Sequence, residues 1–207
     1  MAPVLVTGFE PFGGHPSNPS SAVAQAVARR EANGLEVVSV ELPVDGSAAP
    51  ARLRALLDDL RPAAVLMLGL AEGRPQPSLE RVAVNLLDYP IPDNSGVSRR
   101  GEPVVDGAPP AYFSSLPLDA VLEAWRRENL PGYLSDTAGT YLCNQVFYTA
   151  RHHLSATGRA PLPAGFLHLP CDESLALARP RPYVPLESQV RSVAAALDAI
   201  TRRLEGA

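Results

Sequence analysis

The chain reads as an α/β protein: a single-domain three-layer α/β/α sandwich with a twisted central sheet, mostly parallel or mixed. Three observations predict this. Two runs, Pro3 to Gly8 and Ala63 to Leu70, read as buried strands, the second continuously apolar as a strand buried on both faces is. Longer segments between and after them repeat apolar residues at three- and four-residue spacing, as helices laid on a sheet do. The 207 residues are 46% hydrophobic and 19% charged, enough to bury one sizeable core, and the length fits one domain over residues 1–207.

The elements follow in order. Pro3 to Gly8 is a buried strand ending at glycine. Asn18-Pro19-Ser20-Ser21 opens a helix, with Asn as cap and Pro at the first helical position, running to about Arg30 through Val23 and Val27. Leu35 to Leu42 alternates like a strand. Ala48 to Leu60 is a helix with Leu53, Leu56, Leu57 and Leu60 on one face. Ala63 to Leu70 is the second buried strand. Glu80 to Leu87 reads as one strand, and Asp88 to Pro103, polar and rich in Pro and Gly, as a loop. Leu118 to Glu128 is an amphipathic helix, Gly132 to Asp136 a short strand, and Thr140 to Leu154 a helix. Ala164 to Pro170 is a strand, and Pro185 to Leu204 a long closing helix striped by Val190, Val193, Leu197, Ile200 and Leu204. In such folds chemistry collects at the carboxyl ends of the strands.

Composition narrows the chemistry. A net charge of −4 argues against nucleic acid or an anionic membrane as partner, because phosphate contacts need a basic face. All 18 basic residues are Arg, which excludes a lysine phosphate loop and a lysine Schiff base. No apolar run reaches membrane-spanning length. The start, Met-Ala-Pro-Val-Leu-Val-Thr-Gly, lacks the pattern of a signal peptide, so a cytoplasmic protein with Cys143 and Cys171 as reduced thiols is expected.

Cys143 stands directly after a strand, in the first turn of a helix. That position favours thiolate through the helix dipole and unpaired N–H groups, and the same N–H groups could hold an oxyanion. A small buried core residue is the alternative. Cys171 follows Pro170 with no helix behind it. A thiol nucleophile needs a base. His152 and His153 share the helix of Cys143 but lie roughly 13–15 Å along its axis, at a solvated end. His15 sits in a glycine-rich loop. His168 interrupts the apolar strand Phe166-Leu167-His168-Leu169 near its carboxyl end. A carboxylate would orient the imidazole; Glu80 is the candidate, with Glu10, Asp93, Asp172 and Glu173 as rivals. No C-x-x-C or H-E-x-x-H occurs, so no metal site is expected. The loop Gly8-Phe9-Glu10-Pro11-Phe12-Gly13-Gly14 places two Phe at a strand's carboxyl end, where they cover core or line a pocket for a flat, neutral group.

Four segments carry a resemblance: TGFEPFGGHPSNPS, ERVAVNLLDYPIPDNSG, SDTAGTYLCNQVFY and GFLHLP. In this order and spacing, over residues 7 to 170, they resemble the pyroglutamyl peptidase I family of cytosolic cysteine peptidases. The resemblance implies removal of an N-terminal pyroglutamyl residue from peptides, with Cys143 as nucleophile, His168 as general base and acid, and Glu80 orienting the ring. It implies a pocket of Phe9, Phe12, Ile91, Tyr141 and Leu142 with Asn18 as polar contact, no cofactor, and a homotetramer. Pyroglutamate is a small lactam without an ammonium group, so apolar faces and a few hydrogen bonds should meet it.

The chain departs from the family pattern twice: Leu70 stands where Gln is usual, and Pro90 where Arg is usual before Ile-Pro-Asp-Asn. The Gln is associated with ligand recognition and the Arg with the oxyanion region. The alternatives are an impaired member that binds pyroglutamyl peptides without efficient turnover, or a small-molecule-binding α/β protein using the first loop.

Overall fold

The structure, a computed structural model, describes residues 2–28 and 30–205, Glu205 as backbone only; Met1, Arg29, Gly206 and Ala207 lie outside the described residues. The first half alternates strand and helix: β1 (Val4–Phe9), α1 (Pro19–Val27), β2 (Glu31–Ala32), β3 (Leu35–Leu42), α2 (Ala48–Leu60) and β4 (Ala64–Leu70). Three short strands follow, β5 (Ser78–Glu80), β6 (Val82–Val84) and β7 (Ala111–Phe113). The second half runs α3 (Leu118–Arg127), β8 (Tyr133–Ser135), α4 (Leu142–Ala156), β9 (Ala164–Leu169), α5 (Glu173–Ala178) and α6 (Leu186–Glu205).

Seven strands form one mixed sheet in the order β2-β3-β1-β4-β9-β5-β8. β3, β1, β4 and β9 are mutually parallel, while β5 runs antiparallel to β9 and carries β8 parallel to itself. Side chains alternate between the two faces of a strand, so each central strand feeds two cores. Val4 and Val6 of β1, Leu66 and Leu68 of β4, and Leu167 and Leu169 of β9 face the layer of α1, α3 and α6. Leu5, Val65, Met67 and Phe166 face the layer of α2 and α4. Helices on both faces explain why these strands are apolar on both sides, β4 without a break.

Asn18 caps α1 as expected: its side chain accepts from the Ser20 N–H at 3.1 Å, with Pro19 at the first position. The helix stops at Val27, short of Arg30, and the expected extension passes through residue 29, outside the described residues. The larger correction concerns Glu80 to Leu87. It is not one strand: β5 ends at Glu80 in the main sheet, and after Arg81 the chain pairs β6 with β7 in a separate two-stranded sheet. Arg81 changes sheets by bonding both ways; its N–H donates to the Ser135 carbonyl, and its own carbonyl accepts from Ser114. A second correction follows Cys171, where Asp172 caps α5 by accepting from the Leu175 N–H at 3.1 Å.

Candidate active site

Because β4 and β9 are parallel, Leu70 and His168 reach the same edge of the sheet. β5, antiparallel to β9, pairs Ser78 with His168 and Glu80 with Phe166. Glu80 is therefore the diagonal neighbour of His168 on one face, a spacing long side chains bridge. His168 Nδ1 lies 2.7 Å from Glu80 Oε1, with both residues buried. A carboxylate only accepts, so Nδ1 carries the proton and Nε2 keeps its lone pair. Burial pushes the His168 pKa down; the hydrogen bond and charge of Glu80 oppose this, and Arg74 reinforces it.

Cys143 is the second residue of α4, and its sulfur packs on the backbone of Gly69, the register partner of His168 across β4 and β9. The start of α4 has no side-chain cap, so its first N–H groups face the cleft unclaimed by Tyr141. The buried Asn144 fixes the helix. Its Oδ1 accepts from the Val84 N–H at 2.9 Å, and its Nδ2 donates to the carbonyls of Val84 and Leu86. Cys143 and His168 line one cleft of about 640 Å³ with Phe12, Arg74, Pro90 and Tyr141.

The thiol differs from expectation. The helix start was to lower its pKa; instead burial, then the Glu80 carboxylate, push it up to about 12, with Arg74 and the residue's own N–H pulling only partly back. Desolvation penalises the anion more than a helix end rewards it. Burial thus works against charge on both groups and favours the neutral thiol and the neutral imidazole. Cys171 is fully buried beside Leu70 and Leu175, away from that cleft, with burial raising its pKa as well. Both cysteines are free thiols.

Phe9, Phe12, Asn18, Tyr141 and Leu142 line a narrow apolar recess beside Cys143, together with Val44 and Leu70. Ile91, 41% exposed, lines the outer cleft and not this recess. The Phe residues divide: Phe9 is buried core, whereas Phe12 packs only partly and faces both recess and cleft. Asn18 already donates to the Glu10 carbonyl and accepts from Ser20, leaving one amide hydrogen for a ligand.

The rival residues are occupied elsewhere. Asp93 accepts from the N–H groups of Gly46, Ser95 and Val97, and Glu10 from Val44 and Asn94, so both fasten loops. Asp172 caps α5, and Glu173 accepts from Leu186. His152 is not a solvated end, since its Nδ1 meets the Tyr112 hydroxyl at 3.0 Å. His153 pairs with Asp58 at 2.7 Å, and His15 with Glu72 at the rim of the cleft. Sequence reasoning missed Arg74, whose guanidinium sits 2.6 Å from Glu80 Oε1; only its nearness in the chain, six residues before Glu80, hinted at it.

A thiol, an imidazole with its free nitrogen available, a buried carboxylate behind the ring and unclaimed N–H groups make a set suited to acyl transfer. Among the described residues no cluster of three or more His, Cys, Asp or Glu side chains could hold a metal.

The pyroglutamyl peptidase family profile matches residues 2–203. A pyrrolidone-carboxylate peptidase of Deinococcus radiodurans is 47% identical, the match covering 97% of this chain and 95% of that one. One of Thermococcus kodakarensis is 43% identical over 89% of each. Among solved structures, the pyrrolidone carboxyl peptidase from Thermococcus litoralis superposes with a TM-score of 0.93 at 35% identity, covering 100% of this chain and 96% of that one.

Proposed function

The chain belongs to the pyroglutamyl peptidase family, hydrolases of the cysteine peptidase type that take an N-terminal pyroglutamyl residue from peptides, and we propose that it does so through a thioester on Cys143. The observation that carries this reading is the buried His168–Glu80 pair opening onto the same cleft as Cys143. The lactam enters the recess of Phe12, Tyr141 and Leu142. The Cys143 thiol gives its proton to His168 Nε2 as sulfur attacks the pyroglutamyl carbonyl carbon. N–H groups at the start of α4 hold the oxyanion. The C–N bond breaks, and the departing amine takes the proton from His168. His168 then removes a proton from water, which attacks the thioester and returns the thiol. Glu80 keeps Nδ1 protonated throughout and stabilises the imidazolium.

One catalytic domain, a cytoplasmic location and a homotetramer complete the proposal. The family resemblance supports all three, and two free thiols support the reducing compartment. No helix among the described residues is long and apolar enough to cross a membrane.

Hydrolysis of a chromogenic pyroglutamyl amide tests the reading. Turnover is expected, with loss on treatment with a thiol-alkylating reagent. Cys171→Ser should keep most of the rate and remain sensitive to the reagent. Binding of pyroglutamyl peptides without turnover would favour the impaired member instead.

The two phenylalanines should separate. Phe12→Ala is expected to weaken a pyroglutamate analogue by about 1–3 kcal/mol with little change in melting temperature. Phe9→Ala, emptying core, should cost about 3–5 kcal/mol of stability. Isothermal titration beside thermal melts reads both; unchanged affinity in Phe12→Ala would remove that ring from the lactam site.

A further inference from the structure

Arg74 lies in the turn between β4 and β5, beside the carboxylate that holds His168. Its Nη1 donates to Glu80 Oε1 at 2.6 Å and also to the Ser78 hydroxyl, and its Nη2 donates to the Thr137 carbonyl at 3.1 Å. Glu80 is fully buried, and its other oxygen, Oε2, has no hydrogen-bond partner among the described residues. One carboxylate oxygen thus receives both His168 and Arg74, and Arg74 is the cation that accompanies a buried anion. Thr137 opens the turn that leads to Cys143, so the guanidinium also joins the acid to the segment bearing the nucleophile.

We propose that Arg74 is a positioning residue for this reaction: its guanidinium fixes the Glu80 carboxylate against His168 Nδ1 and offsets its charge, so that His168 rests as the neutral base that receives the Cys143 proton. This rests on the reading of Cys143 and His168 given above.

The charges around His168 give the direction. Glu80 from β5 favours imidazolium, while Arg74 disfavours it; Cys143 approaches from α4, and Glu72, His15, Arg179 and Tyr141 line the same cleft. Loss of Arg74 removes an influence that disfavours imidazolium, and an imidazolium has no lone pair to accept the thiol proton. The same loss takes from Cys143 one of the influences that pull its pKa down. The change at His168 moves the rise of activity to higher pH, and the change at Cys143 makes its proton harder to remove at every pH.

The test follows kcat/KM for a pyroglutamyl amide against pH in wild type, Arg74→Gln and Arg74→Lys. Arg74→Gln is expected to move the acid limb up by about one pH unit and to lower the rate most at the acid end. Arg74→Lys retains the charge but loses the forked contact to Thr137. Its limb should stay with wild type while its rate falls. If Arg74→Gln does not fold, Arg74→Lys still decides, because a displaced limb there contradicts the charge argument. A rate reduced equally at every pH in Arg74→Gln, with the limb unmoved, would reduce Arg74 to a structural tie and overturn the proposal. Those outcomes leave the nucleophile assignment standing. A wild type without turnover, or an active Cys143→Ala, overturns both.

Discussion

Cys143→Ala is expected to lose pyroglutamyl amide hydrolysis by a factor on the order of 10⁴ or more, the scale of removing a covalent nucleophile. Cys143→Ser should be nearly as poor. A serine hydroxyl is harder to deprotonate than a thiol, and a base left neutral by burial has little driving force to spare. Stability should change little, since Cys143 is only partly buried and the group removed is a single sulfur. Steady-state kinetics with thermal melts checks this. Substantial activity in Cys143→Ala at an unchanged melting temperature would remove the nucleophile from the account.

Gly69→Ala is expected to damage activity strongly without removing any functional group. A Cβ at Gly69 would stand 2.7 Å from Cys143 Sγ and 2.7 Å from Phe166 Cζ. The Phe166 ring is fully buried and lies 4.8 Å, centroid to centroid, from the His168 ring. The methyl group therefore pushes on the nucleophile and on the ring behind the base at once. Overpacking of this kind costs about 1–3 kcal/mol of stability. A displacement of the reacting atom by about 1 Å costs roughly 100-fold in rate. The signature is a fall in kcat with binding of a pyroglutamate analogue nearly intact, because neither Gly69 nor Phe166 lines the recess of Phe12 and Leu142. Wild-type kcat would mean that the sulfur has room to move and that Gly69 does not set its place.

The parallel strands and their helices were legible because each buries a face or a stripe large enough to impose a period. β4 read as an unbroken apolar run, β9 as an apolar run broken only by His168, and α6 as a long stripe, for that reason. The break at Arg81 was not legible. The run Glu80 to Leu87 carries no turn signal at Arg81, yet the partner of Val82–Val84 is Ala111–Phe113, far along the chain and only three residues long. α5 was hidden because six residues hold too little periodicity to register. Cys143 could be found from its place at a helix start, and His168 from a polar ring in an apolar strand. Glu80 could not be told from Asp93 or Glu10 by spacing, because sequence does not show which carboxylate reaches the imidazole. What separates them is tertiary: Glu80 faces an imidazole, whereas Asp93 and Glu10 face backbone N–H groups.

The acidity of the thiol illustrates a different limit. A helix start contributes a local effect that is visible in sequence, whereas desolvation depends on everything packed around the sulfur. The neutral resting pair changes what the site must do. In the proposed mechanism His168 takes the proton as the carbon–sulfur bond forms, so its own neutrality becomes the controlling condition, and Arg74, a residue outside the three proposed reacting groups, gains the positioning role proposed for it.

The central claim is a pyroglutamyl thioester on Cys143. Rapid quench of the enzyme with a pyroglutamyl ester, followed by mass spectrometry of the digested protein, tests it most directly. The account predicts a pyroglutamyl adduct on the peptide bearing Cys143. The adduct should form and decay at rates that match turnover, and should be absent from Cys143→Ala. An adduct mapped to Cys171 or to another residue, or steady turnover by an enzyme that never carries one, would contradict it.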